Sequence, residues 1–256
     1  MFKQNYFLTL LLLSAGLFFP SQELFAQSKG VDGSDYSIDK ANKYSRFQLS
    51  IDGGLGYLLG STKTAKDEMK GFGISDQEAD RYYNEIKLGE QAGASVHYMV
   101  FRQMGVGIDY NIFTTNSEVK GTVMSSDQTT LFYGRIKEKI YTNFIGLSIF
   151  QNLRITEKVN LYGNLSAGIA FYRDESYLII APALITGNAF AMKGESGISY
   201  DLSRHLSINV GVSYLLSSLK KIKLSDGTKS SVLNLEGNSK ENLSRLNVST
   251  GIQFHF

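Results

Sequence analysis

The stretch Arg245-Leu-Asn-Val-Ser-Thr-Gly-Ile-Gln-Phe-His-Phe256 alternates two kinds of residue up to the end of the sequence. One parity is mainly apolar and consists of Leu246, Val248, Thr250, Ile252, Phe254 and Phe256. Because successive side chains of a strand point to opposite faces, this strand has one apolar and one polar face. A strand that faces lipid on one side and a barrel lumen on the other requires this pattern. The stretch therefore predicts a lipid-facing strand that closes a transmembrane barrel.

The first residues have the layout of a secretory signal peptide. Lys3 supplies a positive charge, residues 6–19 are almost all apolar, and Leu24-Phe-Ala26 offers a small residue for cleavage. This run is shorter than the ~20 apolar residues that a membrane-spanning helix needs, so we expect cleavage rather than anchoring. The expected division is a signal peptide over 1–26, a flexible periplasmic lead-in over 27–44, and a barrel domain over 45–256.

The composition is typical of a strand-rich protein. The sequence contains 25 Gly, 15 Tyr and 16 Phe but only 2 Pro, which favours strands over loops or disorder. The formal net charge of +2 gives no indication of a nucleic-acid partner, and none is expected. The sequence contains no cysteine, which excludes disulfides and thiolate metal sites.

The same alternation recurs along the chain and predicts eight strands. They cover about residues 47–59, 88–101, 104–112, 136–153, 159–171, 189–202, 206–214 and 246–256. These segments meet the ~9–11 residues that a barrel strand needs to cross a bilayer. In the fourth segment the odd residues are predicted to face outward, but Phe144 and Phe150 interrupt that pattern and its facing stays open.

Short and long connections alternate between the predicted strands. The long ones cover about residues 60–87, 115–132, 173–187 and 216–242. In outer-membrane barrels the short turns face the periplasm and the long loops face outside. With an even number of strands, both termini are then expected in the periplasm. The expected fold class is all-β, an eight-stranded antiparallel up-and-down transmembrane β-barrel.

These features resemble a known superfamily. The signal peptide, the eight alternating strands, the loop asymmetry and the terminal Phe256 resemble the small outer-membrane β-barrels of the OmpA, OmpX and OmpW types. The Leu24-Phe-Ala-Gln27 region and the Tyr-, Asn- and Gly-rich strands resemble barrels of Bacteroidota. The resemblance implies localisation in the bacterial outer membrane and contact with its lipid and lipopolysaccharide. It also implies that Phe254 and Phe256 form the signal read by the barrel-assembly machinery.

Ionisable residues on the inward parity are the first candidates for function. They are Asp52, His97, Asp109, Lys193, Glu195 and Arg245. The interior of an eight-stranded barrel is just wide enough for side chains to fill, and buried charges there must pair or hydrogen-bond. We favour a salt-bridged polar plug over a gated ion path. The plug hypothesis predicts ionic partners for Lys193, Glu195 and Arg245.

Two long connections carry patterns of their own. Ser75-Asp-Gln-Glu78 has the spacing of a capping box and predicts a short helix after it. Residues 177–185 are unusually apolar for an external loop, and they include Tyr177, Leu178, Ile179, Ile180, Leu184 and Ile185. Such a patch indicates a ligand-binding or partner-binding loop. The interpretation that we favour is that strands five and six extend beyond the membrane, with Pro182 at their turn.

Catalytic and metal-binding candidates are weak. His205 and Ser207 lie two residues apart, but on a predicted periplasmic hairpin. We expect no enzyme, no cofactor and no metal. The leading hypothesis is a non-enzymatic outer-membrane barrel with a plugged polar lumen, whose external loops have structural or surface-interaction roles and contact a protein partner. The alternatives are a narrow OmpW-like channel for small hydrophobic molecules and an accessory protein of the envelope or of secretion.

Overall fold

The computed structural model describes residues 45–124, 131–179, 181–227, 229–235 and 240–256. The predicted signal peptide and lead-in lie outside these residues and remain predictions. None of the helices in the described ranges is long and apolar enough to cross a membrane.

The chain is built almost entirely of strands. In chain order the elements are β1 (Phe47–Leu58), α1 (Lys63–Lys70), α2 (Asp76–Lys87), β2 (Leu88–Phe101), β3 (Met104–Met124), β4 (Leu131–Arg154), β5 (Val159–Leu178), β6 (Ala181–Asp201), β7 (Leu206–Leu219), β8 (Lys221–Ser225), β9 (Ser230–Asn234), β10 (Glu241–Asn242) and β11 (Arg245–His255). Strands β1 to β7 pair in sequence, β7 pairs with β11, and β11 pairs with β1. Every pairing is antiparallel, and the eight-stranded up-and-down barrel is confirmed.

The seam between β1 and β11 closes the ring at its lower end, where the short turns lie. Phe47 N donates to Phe256 O at 3.1 Å, and Phe256 N donates to Phe47 O at 2.8 Å. The rings of Phe254 and Phe256 stack with centroids 6.5 Å apart, and Phe256 is 66% exposed. The first and last strands therefore end together at the short-turn end of the barrel.

Strand length divides the ring into a short side and a tall side. Strands β1, β2, β7 and β11 have 12, 14, 14 and 11 residues, whereas β3 to β6 have 21, 24, 20 and 21. We call the extra length of β3 to β6, residues 114–124, 131–141, 173–178 and 181–188, the tall wall, and the part enclosed by all eight strands the lower barrel. The hairpin of β8 and β9 pairs onto β6 of the tall wall.

Two of the predicted loops are therefore wrong. The described parts of residues 115–132 are strand, and so is most of 173–187. The extension of strands five and six is confirmed, but Pro182 pairs with Tyr177 inside the strands instead of forming the turn. The last pair of these two strands is Leu178 with Ala181.

In the lower barrel the predicted facing is confirmed. Ile51 and Leu55 of β1 are exposed, while Gln48 and Ser50 are buried in the lumen. The open question about β4 is answered by Leu147, an odd residue that is 75% exposed. The phenylalanines that interrupted its pattern, Phe144 and Phe150, point inward and are 0% and 2% exposed. They are large lumen residues on a strand whose odd residues face outward.

In the tall wall the polarity of the two faces is exchanged, although the facing of odd and even residues stays the same. Glu118, Lys137 and Arg173 face outward there, while Val119, Ile136 and Ile140 face inward and are buried. The inversion follows from the medium, because apolar side chains turn away from whichever side holds water. The buried set packs against α2 and forms the upper cluster: Met69, Ile74, Ala79, Tyr82, Ile86, Val119, Ile136, Ile140, Tyr172, Ile179, Leu219 and Leu243.

Helix α2 begins at the predicted capping box. Glu78 N donates to Ser75 Oγ at 3.3 Å, and Ser75 N donates to Glu78 Oε2 at 3.4 Å. The helix buries Ala79, Tyr82 and Ile86 against the tall wall. The predicted helix is confirmed, and it acts as a lid over the upper end of the lumen.

Candidate functional site: the barrel lumen and its lid

Lys193 is the centre of a buried ion cluster in the lower barrel. Its Nζ lies 3.1 Å from Asp109 Oδ2 and 3.0 Å from Glu195 Oε2. The side chains of Lys193 and Asp109 are only 3% and 2% exposed. Because β3 and β6 are not neighbours in the ring, the Asp109–Lys193 pair crosses the lumen and ties two parts of the wall together.

Neutral side chains complete the hydrogen bonding of this cluster. Asp109 Oδ2 accepts from Ser166 Oγ at 2.8 Å and from Asn164 Nδ2 at 3.3 Å. The Tyr162 hydroxyl donates to Glu195 Oε1 at 3.1 Å. Buried charges are tolerated when they are both paired and hydrogen-bonded, and this cluster meets both conditions. The predicted plug therefore brings Asp109, Lys193 and Glu195 together.

Asp52 and Arg245 are joined by neutral amides instead of by direct contact. Gln91 Nε2 donates to Asp52 Oδ1 at 3.1 Å, Asn111 Nδ2 donates to Gln91 Oε1, and Arg245 Nη2 donates to Asn111 Oδ1. This chain of hydrogen bonds runs from β1 through β2 and β3 to β11. It links the polar lower lumen to the level at which the apolar upper lumen begins.

Arg245 itself corrects the sequence analysis, which predicted an ionic partner for it. The residue is 0% exposed, and among the described residues its Nε and Nη1 have no hydrogen-bond partner. Its guanidinium lies 5.1 Å from the centroid of the Phe113 ring. The positions opposite Arg245 on the adjoining strands are Leu58 and Leu215, and within the described ranges it forms no ion pair with a carboxylate. A cation–π contact and one amide hold the charge in place of a salt bridge.

Aromatic rings fill the rest of the lower lumen. The rings of His97 and Phe150 stack 4.9 Å apart, and those of Phe150 and Tyr162 stack 6.1 Å apart. Tyr162 lies directly against Gly197 and Gly211, where an added Cβ would come within 2.6 and 2.3 Å of it. The gap between these side chains and the ion cluster is ≈ 10 Å³. A space of that size holds about one water molecule.

His97 and His255 each lie beside a serine. His97 Nε2 lies 2.9 Å from Ser148 Oγ, inside the lumen. Ser207, which sequence analysis associated with His205, instead lies 3.0 Å from His255 Nε2 and donates its proton to Asp201 Oδ1 at 2.7 Å. Ser207 is 0% exposed, so its hydroxyl has no access to a substrate from outside. No spacing in the sequence indicates this grouping, because Ser207 and His255 come together only through strand pairing.

Buried carboxyls beneath α2 are the site residues that sequence analysis missed. The Tyr82 hydroxyl donates to Glu138 Oε2 at 2.6 Å, and Asp174 accepts from Ser176 Oγ at 2.7 Å. Burial, and then the charges of Asp174 and Glu241, raise the pKa of Glu138 to about 7. Burial also raises the pKa of Asp174 to about 6. Asp174 lies in a stretch that the sequence predicts as a loop, and Glu138 lies near the start of the fourth predicted strand, whose facing the sequence leaves open.

The apolar residues predicted to form a ligand or partner loop do not share one surface. Tyr177 is 45% exposed on the outside, whereas Ile179 is 8% exposed and belongs to the upper cluster. Ile185 packs against the same cluster, and Leu184 is half-buried. Ile180 and the side chain of Leu178 lie outside the described part of the chain.

The described residues contain no group of three or more His, Cys, Asp or Glu side chains placed to hold a metal ion. The features that are present are a closed antiparallel ring, an apolar exterior and a packed polar interior. They define the fold of the small outer-membrane β-barrels, the class that the sequence resembles.

Comparisons with known proteins find similarity only to solved structures of outer-membrane proteins. No family model matches the chain, and no curated protein matches it. The chain is similar to Neisserial surface protein A, with 16% identity over 84% of this chain and 100% of that one and a TM-score of 0.45. It is also similar to the outer membrane protease OmpT of Escherichia coli (9% identity, 85% and 99% covered, TM-score 0.46) and to OprG of Pseudomonas aeruginosa (14%, 83% and 98%, TM-score 0.41). Likeness at this level carries no argument about function, and the Bacteroidota assignment stays a prediction.

Proposed function

We propose that this protein is a non-enzymatic outer-membrane β-barrel with a closed lumen. The observation that carries the proposal is the Asp109–Lys193–Glu195 cluster, which crosses the lower lumen with both acids within 3.1 Å of one ammonium. Phe150 and Tyr162 fill the space beside it. A lumen occupied in this way supports a structural role for the barrel and leaves interaction with other molecules to its outer surfaces.

In this proposal the short-turn end, with Phe47 and Phe256, lies in the periplasm, and the tall wall faces outside. The unequal connection lengths support that orientation, because outer-membrane barrels keep short turns on the periplasmic side. Phe254 and Phe256 serve as the signal for the barrel-assembly machinery. The tall wall, α2 and the β8–β9 hairpin are the surfaces offered to a protein partner.

The packing of the upper lumen is the reason we favour this function over a channel for small hydrophobic molecules. Such a channel needs a connected apolar cavity bordered by residues 177–185. Ile179 and Ile185 instead pack against the residues that α2 buries. A non-enzymatic role is supported by Ser207, which is 0% exposed and donates to a carboxylate.

The test is single-channel recording of the refolded protein in a planar bilayer. We expect the wild type to show no steady conductance. The Lys193→Ala variant removes the cation that holds both acids, so we expect it to open intermittently. Steady openings in the wild type would contradict the closed lumen and make transport the leading hypothesis.

A matched variant controls for charge. Lys221→Ala removes an exposed lysine of β8 and leaves the lumen untouched, so it should stay as closed as the wild type. Heat-modifiable migration in gel electrophoresis, recorded for each preparation, shows whether the barrel is folded before conductance is compared.

A further inference from the structure

The β8–β9 hairpin widens the sheet of the tall wall by two strands and ends it at β9. Strand β8 pairs with β6, and β9 pairs with β8. Within the described ranges no further strand follows β9 in the sheet. The side of β9 that points away from β8 is therefore an unpaired strand edge, which we call the free edge. All five residues of β9 are exposed.

The hydrogen bonds at the two ends of the hairpin fix the pattern of its ladder. Leu235 N donates to Lys220 O at 2.8 Å, and Asp226 N donates to Lys229 O at 3.2 Å. Both pairs continue the register in which β8 and β9 are paired. Hydrogen-bonded and non-hydrogen-bonded pairs alternate in an antiparallel ladder, so the pattern between these two ends is determined.

This pattern shows which main-chain groups lie on the free edge. Ser231 and Leu233 belong to hydrogen-bonded pairs and turn their N–H and C=O groups towards β8. Ser230, Val232 and Asn234 belong to the pairs between them and turn these groups away from β8. An edge with exposed donors and acceptors in this arrangement is a template for a further strand.

The free edge lacks the features that usually prevent strand pairing. Natural edges are blocked by charged side chains, by proline or by bulges. The segment Ser230–Asn234 contains no charged residue and no proline, and its register with β8 runs without a shift. Val232 is 56% exposed and Leu233 is 45% exposed. The backbone and the side chains of β9 therefore both permit the addition of a strand.

The surroundings of the free edge are basic. Residues 220–234 contain four lysines and a single acid, Asp226. Lys223 lies opposite Val232, and Lys221 lies opposite Asn234. A strand added to β9 would lie about 10 Å from β8, within the range of these long side chains and of an ionic interaction. A second copy of the chain would bring the same lysines together, whereas an acidic strand would attract them.

We propose that the free edge of β9 binds an extended acidic segment of another protein by strand addition. Main-chain hydrogen bonds to Val232 and Asn234 hold the added strand, and Lys221 and Lys223 select carboxylates on it. This inference rests on the proposed function, which offers the hairpin to a protein partner. It adds the chemical class of that partner and the mode of binding.

The experiment is fluorescence anisotropy of two labelled peptides with the folded protein in micelles. One eight-residue peptide alternates valine with glutamate, and the other alternates valine with lysine. We expect the glutamate peptide to bind about tenfold more tightly. Amide exchange in its complex should slow at Val232 and Asn234. Ser231 and Leu233, whose amides already face β8, should not change.

Matched variants separate the main chain from the charge. Val232→Pro removes a donor of the free edge, where proline is tolerated, and should weaken binding of the glutamate peptide about tenfold. Val232→Thr keeps that donor and should stay within about twofold of the wild type. Lys221→Gln/Lys223→Gln should also lose about tenfold. The control Lys120→Gln/Arg135→Gln removes the same charge from β3 and β4 and should stay within about twofold. Retained protection of the amides that face β8 shows that the hairpin is intact in each variant.

Three results would overturn the proposal. Equal binding of the two peptides, or equal losses in the two charge variants, would show that the lysines of β8 do not select the partner. Unchanged exchange at Val232 and Asn234 in the complex would place the peptide elsewhere. Protection of these amides that rises with protein concentration, without peptide, would make the occupant a second copy.

The conductance experiment remains an independent test, because none of these substitutions touches the lumen. Loss of peptide binding with a closed wild type would overturn only the inference about β9. Steady openings with intact peptide binding would overturn only the closed lumen.

Discussion

The lower barrel and the tall wall use the same strands in two different media. On β4, Leu147 faces outward in the lower barrel, while further up the same strand Ile136 and Ile140 face inward. The parity of the strand does not change between them. The medium outside the barrel changes from lipid to water. Apolar side chains are therefore stable on the outward face in the lower barrel and on the inward face in the tall wall. A barrel strand can therefore switch from a polar to an apolar interior without a break in its backbone.

The two regions also differ in how they tolerate buried carboxyls. In the lower barrel Asp109 and Glu195 share the ammonium of Lys193. Beneath α2, Glu138 faces Tyr82 of α2 and Glu241 of β10, and Asp174 faces Tyr172, Glu175 and Ser176 of β5. This set contains no cation among the described residues. Ion pairing therefore stabilises the carboxylates of the lower barrel, whereas protonation stabilises the carboxyls beneath α2.

The largest effect is expected from removing the cation of the lower barrel. Lys193→Met leaves Asp109 and Glu195 buried and unpaired, which typically costs about 3–5 kcal/mol. Urea unfolding in micelles, followed by circular dichroism, measures the free energy of unfolding. The triple variant Asp109→Asn/Lys193→Met/Glu195→Gln removes all three charges and should recover most of the loss. A loss below about 1 kcal/mol in the single variant would contradict a tightly buried cluster.

A smaller effect is expected from crowding the lumen. Gly197→Ala places a methyl group 2.6 Å from the Tyr162 ring and 2.4 Å from Val210 O. Overpacking of this kind costs about 1–3 kcal/mol. Gly194→Ala, on the outward face of the same strand, meets only Leu165 Cδ2 at 3.4 Å and is the matched control. Equal stability of the two variants would mean that Tyr162 does not lie against the wall.

The tall wall should respond to pH in the opposite sense from a salt-bridged site. Glu138 and Asp174 bind a proton more tightly when folded, since their pKa values rise from 4.5 to about 7 and from 3.8 to about 6. Their contribution is therefore fully present below pH 3.8, and is lost as the pH rises through about 7. We expect amide exchange in α2, corrected for its intrinsic rate, to be about tenfold faster at pH 8 than at pH 5, equivalent to one pKa unit.

The variant Glu138→Gln separates this effect from general charge. It should flatten the pH dependence of α2 exchange, whereas Glu157→Gln, in an exposed turn of the lower barrel, should leave it unchanged. An α2 helix that is protected equally at both pH values in the wild type would show that its seating does not depend on these carboxyls.

The smallest effect is expected at the start of the lid. Ser75→Ala removes the acceptor for Glu78 N and should cost about 1 kcal/mol, expressed as faster exchange in the first turn of α2. The lower barrel should keep its urea midpoint, because α2 packs on the tall wall. A change in the global midpoint would show that lid and barrel unfold as one unit.

The lower barrel could be predicted from the sequence because its outward residues are apolar and its inward residues are mostly polar on every strand. Ile51, Leu55 and Val106 all face a single apolar medium, and the capping box of α2 is a local signal. The tall wall could not be predicted by the same rule. At Arg173 and Glu175 the outward residues of β5 become charged, which indicates the end of a strand, although the pairing with β4 and β6 continues.

The sequence also did not predict which side chains of the lumen contact one another. The alternation predicts that four residues point into the lumen: Asp109, Lys193, Glu195 and Arg245. Their positions along the barrel axis depend on the strand registers, which the alternation does not give. The registers bring Lys193 to Asp109 and Glu195, and they place Arg245 between Leu58 and Leu215. The contact of Ser207 with His255 likewise depends on the register of β7 and β11.

The seam between β1 and β11 sets an order of events during folding. Phe47 and Phe256 are the most distant strand partners along the described chain, and every other ring pairing joins segments closer in sequence. Closing so long a loop is entropically the most demanding of the pairings. Until it forms, β1 and β11 each present an unpaired edge, the kind of surface that recruits strands from other molecules. Between the synthesis of β1 and the closure of this seam, the protein therefore depends most on protection of these two edges from association with other molecules.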